Sequence, residues 1–81
     1  MNRTEALAAV KEAILSVAPN ADVDGLPGDA PFREVLELDS LDFLGVVTKL
    51  AERTGYHIDD ADYPALDTLE GAADFVAERA P

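Results

Sequence analysis

Cysteine is absent from this 81-residue chain, so neither a disulfide framework nor a thiolate metal site is available, and stability has to come from packing. Basic residues are scarce: six Lys and Arg stand against seventeen Asp and Glu, a formal net charge of −11. A field of that sign repels nucleic acid and anionic lipid and steers a protein toward basic surfaces on its partners. No apolar run is long enough to span a bilayer, and the start lacks the basic-then-apolar pattern of a secretory signal. The expectation is a soluble, cytoplasmic monomer with no nucleic-acid or membrane partner. Histidine occurs once, at His57. Asp59, Asp60 and Asp62 lack the glycine and closing glutamate of an EF-hand loop, so they read as a solvated face and no metal site is expected.

What the chain does contain is helical periodicity in one small domain, residues 1–81. Leu7, Val10, Ile14 and Val17 fall on one face of a first helix, with Thr4 as its N-cap and Pro19 bounding its end. From Pro19 to Asp39 the residues turn to Asp24-Gly25, Pro27-Gly28-Asp29 and Pro31, turn chemistry without a period. So long a connection in so small a domain is expected to be ordered, pinned by Val23, Leu26, Phe32, Val35 and Leu36, with one short helical turn at Phe32 to Leu36.

A second long helix is predicted from Ser40 to about Arg53, capped by Asp39 and stopped by Gly55. Leu41, Leu44, Val47, Leu50 and Ala51 make its apolar face, broadened by Phe43 and Val46. A short third helix is expected in the acidic stretch before Pro64 and Leu66. Asp67 or Thr68 caps a last helix, Glu70 completes a capping box with Asp67, and Leu69, Ala72, Ala73 and Val76 face inward. The sum is an all-α bundle of three longer helices and one short one.

Ser40 lies between two aspartates in Glu37-Leu38-Asp39-Ser40-Leu41-Asp42, at the start of that second helix. A serine hydrolase needs a base within hydrogen-bond reach of the hydroxyl. His57 follows the far end of the helix, about 20 Å away at ~1.5 Å per residue. A free anion at the helix start is disfavoured by Asp39 and Asp42, the basic residues nearest in sequence being Arg33 and Lys49. A serine so placed is suited to being modified rather than to catalysing.

These residues resemble the acyl carrier proteins, whose Asp-Ser-Leu motif opens the second helix of a four-helix bundle. The likeness runs over essentially the whole chain, from the first helix through the long loop, Asp39-Ser40-Leu41, the Gly55 stop and the acidic third helix to the Thr68-Leu69 start of the last. It implies that Ser40 is esterified by 4′-phosphopantetheine, through a magnesium-dependent phosphopantetheinyl transferase, and that the arm carries acyl groups as thioesters. The protein would then be a carrier and not an enzyme. The lack of cysteine would leave no thiol on the chain to compete with that thioester. The further partners implied are acyl-transferring or condensing enzymes with basic patches, met through Asp39, Leu41, Asp42, Gly45 and Lys49. The likeness also implies Leu41 as a buried anchor, and Phe43, Leu44, Val47, Ile58, Tyr63 and Leu66 as lining for a folded-back acyl chain, though helical spacing alone accounts for these six as ordinary core.

Two positions depart from the family pattern. Glu37 stands where fatty-acid carriers commonly have glycine, and Gly45 where they usually carry a docking glutamate. The departures point to a specialised pathway, of polyketide, modified-lipid or other dedicated acyl metabolism, and a peptidyl or aminoacyl carrier is the nearest alternative. An unmodified acidic helical interaction module explains charge and helices equally well but leaves the Asp39-Ser40-Leu41 helix start a coincidence.

Overall fold

The computed structural model describes residues 1–80; Pro81, the last residue of the expected domain, lies outside them. Among the described residues the chain is helical without strands: α1 (Arg3–Val17), α2 (Phe32–Val35), α3 (Ser40–Thr54), a 3-10 helix (Asp60–Leu66) and α4 (Leu69–Arg79). The expected bundle is present, with α2 as the short turn inside the long connection and the 3-10 helix as the short third helix.

α1 starts earlier than the Thr4 cap predicted from sequence. The Asn2 side chain accepts from the Glu5 N–H at 2.8 Å, and the Glu5 carboxylate accepts from the Asn2 N–H at 3.2 Å. The two donors are satisfied reciprocally in a capping box, which leaves Thr4 inside the first turn. The buried face is narrower in side chain than the expected stripe: Ala6, Ala9, Val10, Ala13 and Ile14 are buried, whereas Leu7 and Val17 are half-buried. The three alanines let neighbouring backbones come close. α1 packs along both α3 and α4, while α3 and α4 touch each other little.

The buried face of α3 is turned from the one predicted. Phe43, Val46, Val47 and Leu50 are buried, an i, i+3, i+4, i+7 set that starts at Phe43. Leu41 is 78 % exposed and Leu44 49 %, so Leu41 is not the buried anchor expected of it. The aromatic ring at Phe43 takes the inward register, and Leu41 and Leu44, three residues apart, are left on the neighbouring face. Gly55 ends the helix in the left-handed region at φ 70°, as a C-terminal glycine does.

The loop from Ala18 to Asp39 is ordered by contact with the start of α4. The Phe32 N–H donates to the Asp67 carbonyl at 3.2 Å, and the Glu70 N–H to that of Gly28 at 3.0 Å. Val23 and Phe32 are buried, and Leu26 and Leu36 half-buried, as expected of pins; Val35 is instead 53 % exposed. The 3-10 helix continues through Pro64 to the buried Leu66 rather than stopping before them. At α4 the cap is Thr68, whose hydroxyl accepts from the Gly71 N–H at 2.9 Å. The predicted Asp67–Glu70 box does not form, because with Thr68 as cap the third helical position is Gly71. The core is wholly apolar: no polar or charged side chain is buried among the described residues.

Candidate functional site

A reversal of the backbone between α2 and α3 sets the surroundings of Ser40. The Leu38 N–H donates to the Arg33 carbonyl at 2.9 Å, and the Glu37 N–H to that of Glu34 at 3.2 Å. This is the bond pair of a Schellman motif, whose left-handed residue is most easily glycine. Glu37 occupies it, with φ 55°, the one non-glycine residue of positive φ among the described residues. The turn sends Leu38 into the core, 7 % exposed, and brings the chain round to begin α3 at Asp39.

Asp39 and Asp42 then close the helix start on each other. Asp39 Oδ1 accepts from the Asp42 N–H at 2.8 Å, and Asp42 Oδ2 accepts from the Asp39 N–H at 3.3 Å. Ser40 is the first residue inside the helix and is exposed. Its Oγ accepts a hydrogen bond from Nη2 of Arg33 at 3.2 Å. The same guanidinium lies over the Phe43 ring, 4.8 Å from its centroid, a cation–π contact that fixes its plane. Of the two basic residues nearest in sequence, Arg33 and Lys49, it is Arg33 that reaches Ser40: the turn at Glu37 folds it, seven residues earlier, back onto the hydroxyl. A left-handed glutamate has no mark in sequence, which is why Arg33 does not stand out there.

Among the described residues no base is hydrogen-bonded to the hydroxyl, whose partner is Arg33. His57 lies beyond the other end of α3, exposed, with Nε2 2.8 Å from Oδ1 of Asp59. Among the described residues no group of three or more His, Cys, Asp or Glu is arranged to hold a metal ion. What remains is an accessible nucleophile on a fixed helix start, next to one guanidinium.

Beside this corner is an open pocket of about 500 Å³, lined by Arg33, Phe43, Asp60, Tyr63, Pro64 and Asp67. Tyr63 meets Phe43 edge-on, ring centroids 5.3 Å apart at 82°. Of the six residues expected around an acyl chain, Phe43 and Tyr63 line this pocket. Val47, Ile58 and Leu66 are buried in the core, and Leu44 is at the surface. Charged Arg33, Asp60 and Asp67 alternate in its lining with the apolar surfaces of Phe43, Tyr63 and Pro64.

The residues expected at a docking surface are spread along α3. Asp39, Leu41 and Lys49 are exposed, and Asp42 is half-buried by its capping role. Gly45 is half-buried against α1, where a Cβ would lie 2.6 Å from Cγ1 of Val17; close helix packing is therefore its reason. Lys49 shares a separate surface hollow with Glu52 and Arg53.

Comparison with known proteins gives matches over most of the chain. The family described as a phosphopantetheine attachment site matches residues 8–76. An acyl carrier protein of Rubrobacter xylanophilus is 36 % identical over 79 residues, spanning 98 % of this chain and 96 % of its own. One of Thermosynechococcus vestitus is 34 % identical over 79 residues, with the same coverage. Mitochondrial acyl carrier protein 2 of Arabidopsis thaliana is 35 % identical over 73 residues, covering 86 % of this chain and 58 % of its own. No solved structure gives a significant match.

Proposed function

The chain belongs to the acyl carrier proteins, and from that membership we propose that Ser40 is the residue to which 4′-phosphopantetheine is attached. Members of the family are carriers rather than catalysts, with the prosthetic group held covalently. When bound, the group supplies a terminal thiol on which acyl groups travel as thioesters.

The observation that carries the assignment is the setting of the Ser40 hydroxyl: exposed, at the first position of α3, and with no base hydrogen-bonded to it among the described residues. Such a hydroxyl cannot activate itself, yet it is open to an enzyme that brings base and magnesium. The residues present fit the group. Asp39 and Asp42 hold the helix start rigid, and Arg33 offers positive charge where a phosphate would stand. Exposed Leu41 and Leu44 give partners an apolar foothold beside the arm, and the net charge of −11 draws in basic docking surfaces. Asp39, Asp42 and Lys49 would add polar contacts at that surface. The partners are a phosphopantetheinyl transferase and acyl-handling enzymes, met by a monomer. Among the described residues no helix is long and apolar enough to cross a membrane; a cytoplasmic site of action is part of the proposal.

Partner choice is expected to be specialised. Glu37 at the turn alters the surface beside the arm from that of fatty-acid carriers, and Gly45, packed against Val17 of α1, leaves α3 without their docking glutamate; both favour a dedicated acyl pathway. The test is intact mass after incubation with coenzyme A, magnesium and a broad-specificity phosphopantetheinyl transferase. The expected result is one added phosphopantetheine on the wild-type chain and none on Ser40→Ala. Addition to Ser40→Ala would place the arm elsewhere, and no addition to a folded wild-type chain would favour an unmodified interaction module.

A further inference from the structure

Resting on the reading of Ser40 as the attachment point, we infer that Arg33 is a positioning residue for the arm: its guanidinium binds the phosphodiester on Ser40 and directs the arm toward the Phe43–Tyr63 pocket. Three observations lead there. Arg33 Nη2 already reaches Ser40 Oγ at 3.2 Å. Once that oxygen is esterified its proton is gone, and the two non-bridging phosphate oxygens stand one bond beyond the phosphorus, within reach of the same fork. An anionic acceptor holds a guanidinium more strongly than a hydroxyl does, and the planar fork suits the phosphate geometry.

The second observation is that Arg33 has no carboxylate of its own. Of the other five basic residues, Arg3, Lys11, Arg53 and Arg79 each hold one at 2.7–3.3 Å, and Lys49, farther along α3, does not. Among the described residues none lies within 4 Å of Arg33, although Asp60 and Asp67 line the same pocket. The guanidinium lies over the Phe43 ring instead, and its hydrogen-bonding edge meets only the Ser40 hydroxyl among the described residues. In a chain of net charge −11 a cation without a carboxylate partner, aimed at the serine, is positioned for an anion that arrives there.

The third is the character of the pocket that starts at Arg33. Its walls are Phe43, Tyr63 and Pro64 with Asp60 and Asp67, a mixture of rings and acceptors. Such a lining offers hydrogen-bond acceptors to the amide-bearing part of an arm beside apolar ring surface for its methylene groups. With its phosphate held at Arg33, the arm is directed across this groove rather than away into solvent.

The test compares wild type and Arg33→Gln, each brought to full loading as judged by intact mass, by phosphorus NMR across a sodium chloride titration. In wild type the phosphorus resonance is expected to be broadened by coupling to protein tumbling and to shift as salt screens the pair. In Arg33→Gln the line narrows and the salt-dependent shift is lost. Arg33→Lys, which keeps the charge but not the fork, falls between. Equal shifts and linewidths in loaded wild type and Arg33→Gln would overturn the inference. A second readout needs no variant: the Arg33 Nε–H resonance of wild type moves on loading, and its failure to move also overturns the inference. A wild-type chain that takes up no phosphopantetheine overturns the Ser40 reading itself, which intact mass reports before any spectrum is taken.

Discussion

Gly45 of α3 faces Val17 of α1 so closely that a Cβ there would lie 2.6 Å from the valine Cγ1. The mid-helix glycine thus has a structural cause, close approach of the last turn of α1. Gly45→Ala improves helix propensity by about 1 kcal/mol but overpacks the contact, which typically costs ~1–3 kcal/mol. The expected outcome in a denaturant titration is a net loss of about 1 kcal/mol. Adding Val17→Ala makes room for the new methyl, so the double variant is expected to show a favourable coupling. Additive effects would show that the two residues do not constrain each other.

Glu37 supplies the left-handed residue of the turn at φ 55°, where a side chain is strained by ~1–2 kcal/mol. Glu37→Gly removes the strain and gives back part of it through the larger freedom of the unfolded chain, roughly 0.4–1 kcal/mol. A net gain of about 0.5–1 kcal/mol is expected, read as a raised denaturation midpoint with unchanged slope. Glu37→Ala keeps the strained backbone and is expected to stay near wild type.

Leu41 is 78 % exposed, so truncating it removes little buried area. Leu41→Ala is expected to change stability by less than about 0.5 kcal/mol, while slowing loading by a phosphopantetheinyl transferase through a raised KM. A drop in stability of several kcal/mol would restore Leu41 to the core. Normal loading would remove it from the docking surface.

At Asp39, cap and carboxylate can be separated. Asp39→Ala loses the hydrogen bond to the Asp42 N–H, with an expected loss of about 1 kcal/mol. Asp39→Ser keeps a capping oxygen and is expected to recover most of that stability. If the carboxylate also serves transferase recognition, as proposed, Asp39→Ser remains slow to load despite its restored fold; loading at the wild-type rate would reduce Asp39 to a cap.

Periodicity and end signals were enough to read the bundle, because α1, α3 and α4 each bury one face and Gly55 and Thr68 act within a turn of themselves. Register was less legible. Leu41 and Leu44 satisfy a helical stripe as well as Phe43 and Val46 do, and only the packing of the Phe43 ring decides between them. The start of α1 was misplaced because Asn2 and Thr4 are both capable caps, and the choice falls to Asn2 through the reciprocal bond of Glu5. At the site, Ser40 was visible from its motif. Arg33 was not, since its approach depends on a backbone conformation at Glu37 that glutamate rarely adopts.

The arrangement in which α1 serves as common support for α3 and α4 has a consequence for how the chain finds its fold. One of the two partners of α1 is the last helix, Leu69–Arg79, so that interface closes only after nearly the whole chain has been brought round. A helical array that joins only neighbours in sequence encloses short loops. Contacts of such long sequence separation raise the contact order of an otherwise local, helical protein, and folding slows accordingly. Refolding of this chain is therefore expected to be slower than that of a helical protein of equal length and stability whose helices pack only on their sequence neighbours.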